Sequence, residues 1–308
     1  MGAAYPDFRA IASKLLNQPC ARLTAWSLLL YLFGSGGAFW LGAAMVLAGF
    51  GCRVFGNQKW LDRAAVYTVD IGLVLVVLSA VPLSLPVYLA IVGSTVLWLV
   101  VDKSQNPSWH QCRPWVRSAL LGSWLLTLAL ELPYQFTPSV PTSGGQIFVI
   151  GDSITAGLGD KIVTWPQLLA DERGFTVLSQ AAAGATISQA LIQTEKLPDR
   201  ADVILIEIGG NDLLSQVPIA QFERDLDKLL SGVRQRSDHV IMFELPLPPL
   251  CNEYGHIQRR LSAKHDVRLA PKRLLMGVLA SSTATSDTIH LTQSGHARLA
   301  QIVSGMIH

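Results

Sequence analysis

Residues Ile147-Phe148-Val149-Ile150-Gly151-Asp152-Ser153-Ile154-Thr155 join four consecutive apolar β-formers to a Gly-Asp-Ser break. A short run of this kind, closed by turn residues, reads as a buried strand. A serine set out at the end of such a strand is where an α/β enzyme carries a nucleophile, on a tight strand-to-helix turn. The chain changes character at this stretch. Upstream lie long apolar runs, and downstream short apolar strands alternate with amphipathic segments.

Half of the 308 residues are hydrophobic and 15% are charged, against about a quarter in an average soluble domain. The deficit is uneven. Residues 1–144 hold nine Lys/Arg and five Asp/Glu, and residues 145–308 hold fifteen and seventeen. There is no basic stripe with interleaved aromatics, so no nucleic-acid partner is expected. Cys20, Cys52, Cys112 and Cys251 are too few and too scattered for a disulfide framework, and they form no Cys/His cluster. No metal or cofactor is therefore expected.

The upstream part reads as an all-α membrane domain over residues 1–132, with hydrophobic segments at about 23–51, 64–81, 84–101 and 115–132. A spanning helix needs about 20 apolar residues. Gly34-Ser35-Gly36-Gly37 interrupts the first segment, which reads either as one tilted span or as a broken re-entrant hairpin. Residues 1–22, with Arg9, Lys14 and Arg22, read as a short amphipathic helix. Trp60, Trp98, Trp109 and Trp115 fall near segment ends, as interfacial aromatics do. Asp70 lies several residues into the second segment. It reads as an interfacial group near a helix end, ahead of a functional charge inside the membrane. Arg53, Lys59 and Arg63 follow the first segment, and Lys103, Arg113 and Arg117 flank the connection from third to fourth. The positive-inside rule puts both loops in the cytoplasm and the C-terminal part outside. The side of the N-terminus depends on which reading of 23–51 holds. Residues 133–145, with Pro133, Pro138 and Pro141, form a short stiff linker.

From residue 146 the pattern alternates. Strands are expected at 146–150, 175–179, 202–208, 239–244 and, weakly, 266–269. Helices are expected near 165–172, 187–195, 218–235, 254–265, 271–280 and 292–306. Strands as apolar as Val203-Ile204-Leu205-Ile206 argue for a parallel sheet covered on both faces. Ligand sites in such sheets collect at the carboxyl ends of the strands.

The polar motifs fall at those ends. Ser153 follows the first strand, Gly184 the second and Gly209-Gly210-Asn211-Asp212 the third, while Asp287-Thr288-Ile289-His290 precedes the last helix. A serine hydroxyl is a weak nucleophile without a base. His290 can take its proton near neutral pH, and Asp287 can hold the other ring nitrogen. Backbone N–H groups of Ser153 and Gly184, with the Asn211 amide, can meet a developing oxyanion. Each motif alone is more often a turn or a helix cap. Their order along the chain, each at a rim position, points to one site.

These residues resemble the SGNH, or GDSL, hydrolases. The likeness rests on Gly151-Asp152-Ser153-Ile154-Thr155, Gly184, Gly209-Gly210-Asn211-Asp212 and Asp287-Thr288-Ile289-His290, and it covers residues 146–308. Trp165-Pro166-Gln167-Leu168-Leu169, Ile206-Glu207-Ile208 and Ile289-His290-Leu291-Thr292 look closest to the bacterial thioesterase/lysophospholipase/arylesterase branch. The resemblance implies a three-layer, flavodoxin-like α/β domain. It implies Ser153 as nucleophile, His290 as base, Asp287 as its partner, and Ser153, Gly184 and Asn211 as the oxyanion hole. Two features depart from the family pattern. Ser179-Gln180-Ala181 stands where members often carry Asn, and Leu291-Thr292 stands where Pro often follows the final His. Thr292 is expected to cap the last helix, and His296 reads as structural.

The implied function is a membrane-anchored serine esterase cleaving an ester or thioester, with lysophospholipid or another acylated envelope molecule as candidate substrate. The location implied is a bacterial inner membrane with the hydrolase domain outside. The alternatives are an acyltransferase using the same acyl-enzyme, and an inactive membrane binding or sensing protein.

Overall fold

The computed structural model describes residues 20–55, 59–142, 144–159, 162–287 and 289–308. Arg9, Lys14 and Thr288 lie outside them, as does most of the expected N-terminal amphipathic helix. The chain divides into two compact units. One comprises Gly36–Phe136 with Pro248–Asn252; the other comprises the residues up to Ser35, Thr137–Leu247 and Glu253–His308.

The upstream helices are α1 (Cys20–Gly34), α2 (Gly37–Phe55), α3 (Lys59–Leu78), α4 (Leu85–Lys103) and α5 (Pro107–Glu131). The run expected at 23–51 is therefore neither a single helix nor confined to those limits. It breaks at Ser35-Gly36, where Gly36 takes φ +82°, a left-handed turn that favours glycine. The segment before the break, α1, belongs to the second unit, where Gly34 lies against Met276.

Helices α2 to α5 form the first unit. Three helices, Gly37–Phe55, Leu85–Lys103 and Pro107–Gln135, are long and apolar enough to cross a membrane by length and composition. The expected second segment is helical as α3 but starts earlier and carries Asp62, Arg63 and Asp70. Asp70 sits midway along α3 rather than near its end, and it is exposed. Trp98, near the end of α4, is buried and packs on Phe50. Helices α2 and α3 meet at glycine. A Cβ on Gly42 would stand 2.5 Å from the Gly72 carbonyl oxygen, and one on Gly72 would stand 2.7 Å from that of Gly42. Polar contacts join α4 to α5: Trp124 Nε1 donates to Thr95 Oγ1 at 3.0 Å, and the Ser94 and Ser123 hydroxyls are 2.9 Å apart. Asp102 binds both Arg53 of α2 and Arg117 of α5.

The second unit is an α/β sandwich. Its strands are β1 (Gln146–Gly151), β2 (Thr176–Ser179), β3 (Val203–Glu207), β4 (His239–Phe243) and β5 (Arg268–Ala270). They form a parallel sheet in the order β2-β1-β3-β4-β5. Its helices are α6 (Ser153–Ala156), α7 (Trp165–Arg173), α8 (Ile187–Thr194), α9 (Gly210–Leu214), α10 (Ile219–Arg234), α11 (Asn252–Lys264), α12 (Lys272–Leu279) and α13 (Gln293–Ser304). The short α6 and α9 were not expected. Alternate strand residues face opposite sides of a sheet. Ile147, Val149, Val203, Leu205, Ile241 and Phe243 share one core with Trp165, Leu169, Leu275, Val278, Leu299 and Val303 of α7, α12 and α13. Phe148, Ile150, Ile204 and Ile206, also buried, point to the other face, where α8 and α10 pack together. Such burial stabilises by about 1.5–3 kcal/mol per large apolar side chain.

The residues read as a linker fall in two parts. Leu132–Gln135 form a 3-10 turn. Val140, in the next stretch, pairs in parallel with Ile307, and Thr142 N–H donates to His308 O at 2.7 Å.

Candidate active site

Strand order reverses at β1, because β2 lies on one side of it and β3 on the other. A crevice opens at the carboxyl ends of the strands flanking such a switch point. Ser153, at the start of α6, and Asn211, in α9, extend from β1 and β3 into this region.

Ser153 is 7% exposed. Asp152 caps α6, its Oδ1 accepting from Ile154 N–H at 2.9 Å. Among the described residues the backbone N–H groups of Ser153 and Gly184 donate to no protein acceptor, so both remain available to a ligand. Gly184 takes φ +75°, and a Cβ there would meet nothing within 4 Å. Glycine is needed at this position for the backbone angle, not for space. Asn211 Nδ2 donates to Asp152 Oδ2 at 3.2 Å and to Ala185 O at 3.0 Å. The sequence-expected third oxyanion donor thus has its N–H groups directed at two protein oxygens.

Asp287 and His290 meet through an Asx-type turn. Asp287 Oδ1 accepts from His290 N–H at 2.9 Å, and Asp287 Oδ2 lies 2.6 Å from His290 Nδ1. Burial tends to raise the Asp287 pKa. The hydrogen bonds from His290 and from Ile289 N–H outweigh it and hold the carboxyl below its ordinary value. A carboxylate on Nδ1 fixes the tautomer that leaves Nε2 free to accept a proton. Among the described residues no hydrogen bond joins the Ser153 hydroxyl to His290; such bonds often tighten only when substrate binds. Thr292 caps α13, its hydroxyl accepting from Gly295 N–H at 3.3 Å, as expected. His296 is fully buried. Its Nδ1 accepts from Trp165 N–H at 3.2 Å, and burial lowers its pKa to about 4, which fits the structural reading.

Sequence reasoning missed a set of acids beneath these groups. Asp152, Glu207 and Asp212 are each about 2–3% exposed. Burial raises Asp152 to about 6 and Asp212 to about 6. Burial and the charge of Asp152 push Glu207 well above the ordinary carboxylate range. Gln193 clamps Gly151 at both its N–H and its carbonyl, each at 3.1 Å. The available signal was a charged residue closing the buried strand Val203-Ile204-Leu205-Ile206-Glu207, where a solvated end is expected. Among the described residues no group of three or more His, Cys, Asp or Glu could hold a metal ion.

Comparison with known proteins places this segment. Residues 149–298 match the GDSL-like lipase/acylhydrolase family. This segment is an SGNH/GDSL-type serine hydrolase domain. The chain is similar to an arylesterase of Vibrio mimicus, with 27% identity over 172 residues, 52% of this chain and 86% of the relative. It is also similar to the thioesterase 1/protease 1/lysophospholipase L1 of Escherichia coli K12, with 27% identity over 154 residues, 47% of this chain and 74% of the relative. The crystal structure of TesA superposes with a TM-score of 0.45 and 26% identity, covering 52% of this chain and 97% of that one.

Proposed function

We propose that this chain is a membrane-anchored serine esterase, organised as a membrane domain (1–132), a linker (133–145) and a hydrolase domain (146–308). Ser153 attacks an ester or thioester carbonyl. His290 Nε2 takes the hydroxyl proton, and Asp287 stabilises the imidazolium through Nδ1. The oxyanion is met by the N–H groups of Ser153 and Gly184. Asn211 joins them by turning one N–H from its present acceptor. His290 then returns the proton to the leaving alcohol or thiol, and water, activated by the same histidine, releases the acid. Losing one oxyanion donor typically costs on the order of 10²–10³ in rate.

The observation that carries this reading is the Asp287–His290 pair at 2.6 Å, beside a buried serine whose N–H, among the described residues, donates to no protein acceptor. The arylesterase and thioesterase relatives support carboxylic ester and thioester substrates. Apolar helices α2, α4 and α5 support anchoring, and the basic residues about the α2–α3 and α4–α5 connections support a bacterial inner-membrane placement with the hydrolase domain outside. An anchored site favours an acylated envelope lipid such as a lysophospholipid. A fluorophosphonate probe on the full chain should label Ser153, with the label lost in Ser153→Ala. Full esterase activity in purified Ser153→Ala would refute the assignment. Equal turnover of acetyl and long-acyl esters would refute the lipid preference.

A further inference from the structure

We propose that Glu207 is a positioning residue, a neutral carboxylic acid that donates its proton to Asp152 and so holds the nucleophile loop in register. This inference rests on the reading of Ser153 as the nucleophile.

The argument begins with donors and acceptors. Trp165 Nε1, which can only donate, gives its hydrogen to Thr155 Oγ1 at 3.2 Å. Thr155 gives its single hydroxyl hydrogen to Glu207 Oε2 at 2.9 Å. Asp152 accepts from Ile154 N–H and from Asn211 Nδ2. The carboxyl groups of Asp152 and Glu207 lie close enough to act on each other, and Asp152 N–H donates to Glu207 O at 3.2 Å. Two carboxyl groups in contact need one proton between them. Two N–H donors, from Ile154 and Asn211, point at Asp152, while Glu207 takes the Thr155 hydroxyl and a backbone contact from Asp152 N–H, whose main bond is to Glu207 O. The arrangement is fully paired when Asp152 is the ion and Glu207 the acid.

A second buried glutamate at the same rim shows the contrast. Glu244, just beyond β4, is as buried as Glu207 but accepts from Arg259 Nε at 2.7 Å and faces Lys272 Nζ at 3.7 Å. Those two cations keep it ionised against burial. Among the described residues no ion pair involves Glu207. Around the Asp152–Glu207 pair the titratable neighbours are His290, which favours charge on Asp152, and Asp212, which acts electrostatically on Asp152. Asp212 in turn feels Asp225. No strong cation offsets a second negative charge there, so the proton stays on Glu207.

Asp152 holds two parts of the candidate site, the first turn of α6 that presents Ser153 and the Asn211 amide. A proton from Glu207 fixes its carboxylate from below. Ionised Glu207 would set two carboxylates face to face and displace both parts.

The test uses the full purified chain in detergent, with kcat and KM for a p-nitrophenyl ester measured from pH 5.5 to 10. Glu207→Gln supplies an amide donor to Asp152 and an acceptor to Thr155, so kcat should stay within about threefold of wild type. With no proton to lose, this variant should keep kcat at alkaline pH where wild type declines. Glu207→Leu should lower kcat by up to about 10²-fold with KM little changed, as expected of misplaced reacting groups. Infrared spectra in D2O should show a protonated-carboxyl band near neutral pH that Glu207→Gln removes. If Glu207→Leu fails to fold, the glutamine variant and the infrared band still decide. The proposal is overturned if the glutamine variant falls as far as the leucine variant, if both match wild type at every pH, or if the band is absent. Failure of wild type to react with a fluorophosphonate would instead overturn the nucleophile assignment, and that result is separable from these.

Discussion

The two units place their large and small side chains in opposite ways. In the helical unit glycine and alanine occupy the close contacts, as with Gly42 against Gly72, while Val74, Leu125 and Leu126 are each more than half exposed. In the α/β unit Ile147, Val149, Val203 and Ile206 are fully buried. Hiding apolar area from water drives the second arrangement. The first leaves large apolar side chains on its outer face and joins its helices by close backbone approach, the pattern expected of helices packed in apolar surroundings. The comparison teaches that one chain can be read by two sets of rules, which change at Gly36 and again at Thr137.

Ser153→Ala separates the units most sharply. It should reduce kcat/KM by about 10⁴-fold or more while leaving thermal unfolding unchanged, measured by ester hydrolysis and a melting scan. Asp287→Asn should cost on the order of 10²–10⁴-fold in kcat, the range of general acid–base assistance, because the amide cannot stabilise His290 as an imidazolium. Gly42→Val is the mirror experiment. Its Cβ would stand 2.5 Å from a backbone oxygen, so the helices must separate, at about 1–3 kcal/mol or more. Unfolding in detergent should record that loss, while hydrolysis of a water-soluble ester persists. Gly184→Ala adds a Cβ at φ +75° and should cost about 1–2 kcal/mol in strain, seen as a lower kcat with Ser153 still labelled. The smallest effect is expected of Asp212→Asn. Burial raises Asp212 from 3.8 to about 6, so its contribution to stability is fully present below pH 3.8 and is lost as pH rises through about 6. The asparagine keeps an acceptor for Ile187 N–H without that loss. It should raise the melting temperature more at pH 8 than at pH 5.

The strands and the larger helices of the α/β unit were legible because their signals are local. Apolar runs bounded by Gly, Pro or Asp gave β1 to β4 within a residue or two, and Thr292 was readable as a cap. Ser153, Gly184 and Asn211 stood out in breaks after apolar strands, and Asp287 and His290 in the turn before the last helix. What escaped was set by contacts distant in sequence. Glu207 and Asp152 meet only because β1 and β3 are neighbours, and nothing in either segment announces a shared proton. The break at Gly36 was visible as an interruption. The assignment of α1 to the α/β unit was not, because an evenly apolar helix has no face that names its neighbour. Asp70 was misplaced for a similar reason: the charged residues of the first turns of α3 hid how early that helix begins.

The pairing of Val140 with Ile307 brings the stretch that leads into β1 beside the one that follows α13. Thr142 and His308 share a hydrogen bond there, and a few added residues would join them covalently. Ends this close are the condition for circular permutation. Joining Thr142 to His308 and reopening the chain at the exposed turn after α8, near Glu195 and Lys196, would turn the catalytic unit into a rearranged single domain. Its order of strands would be new, its sheet the same, and its synthesis independent of the helices that now precede it.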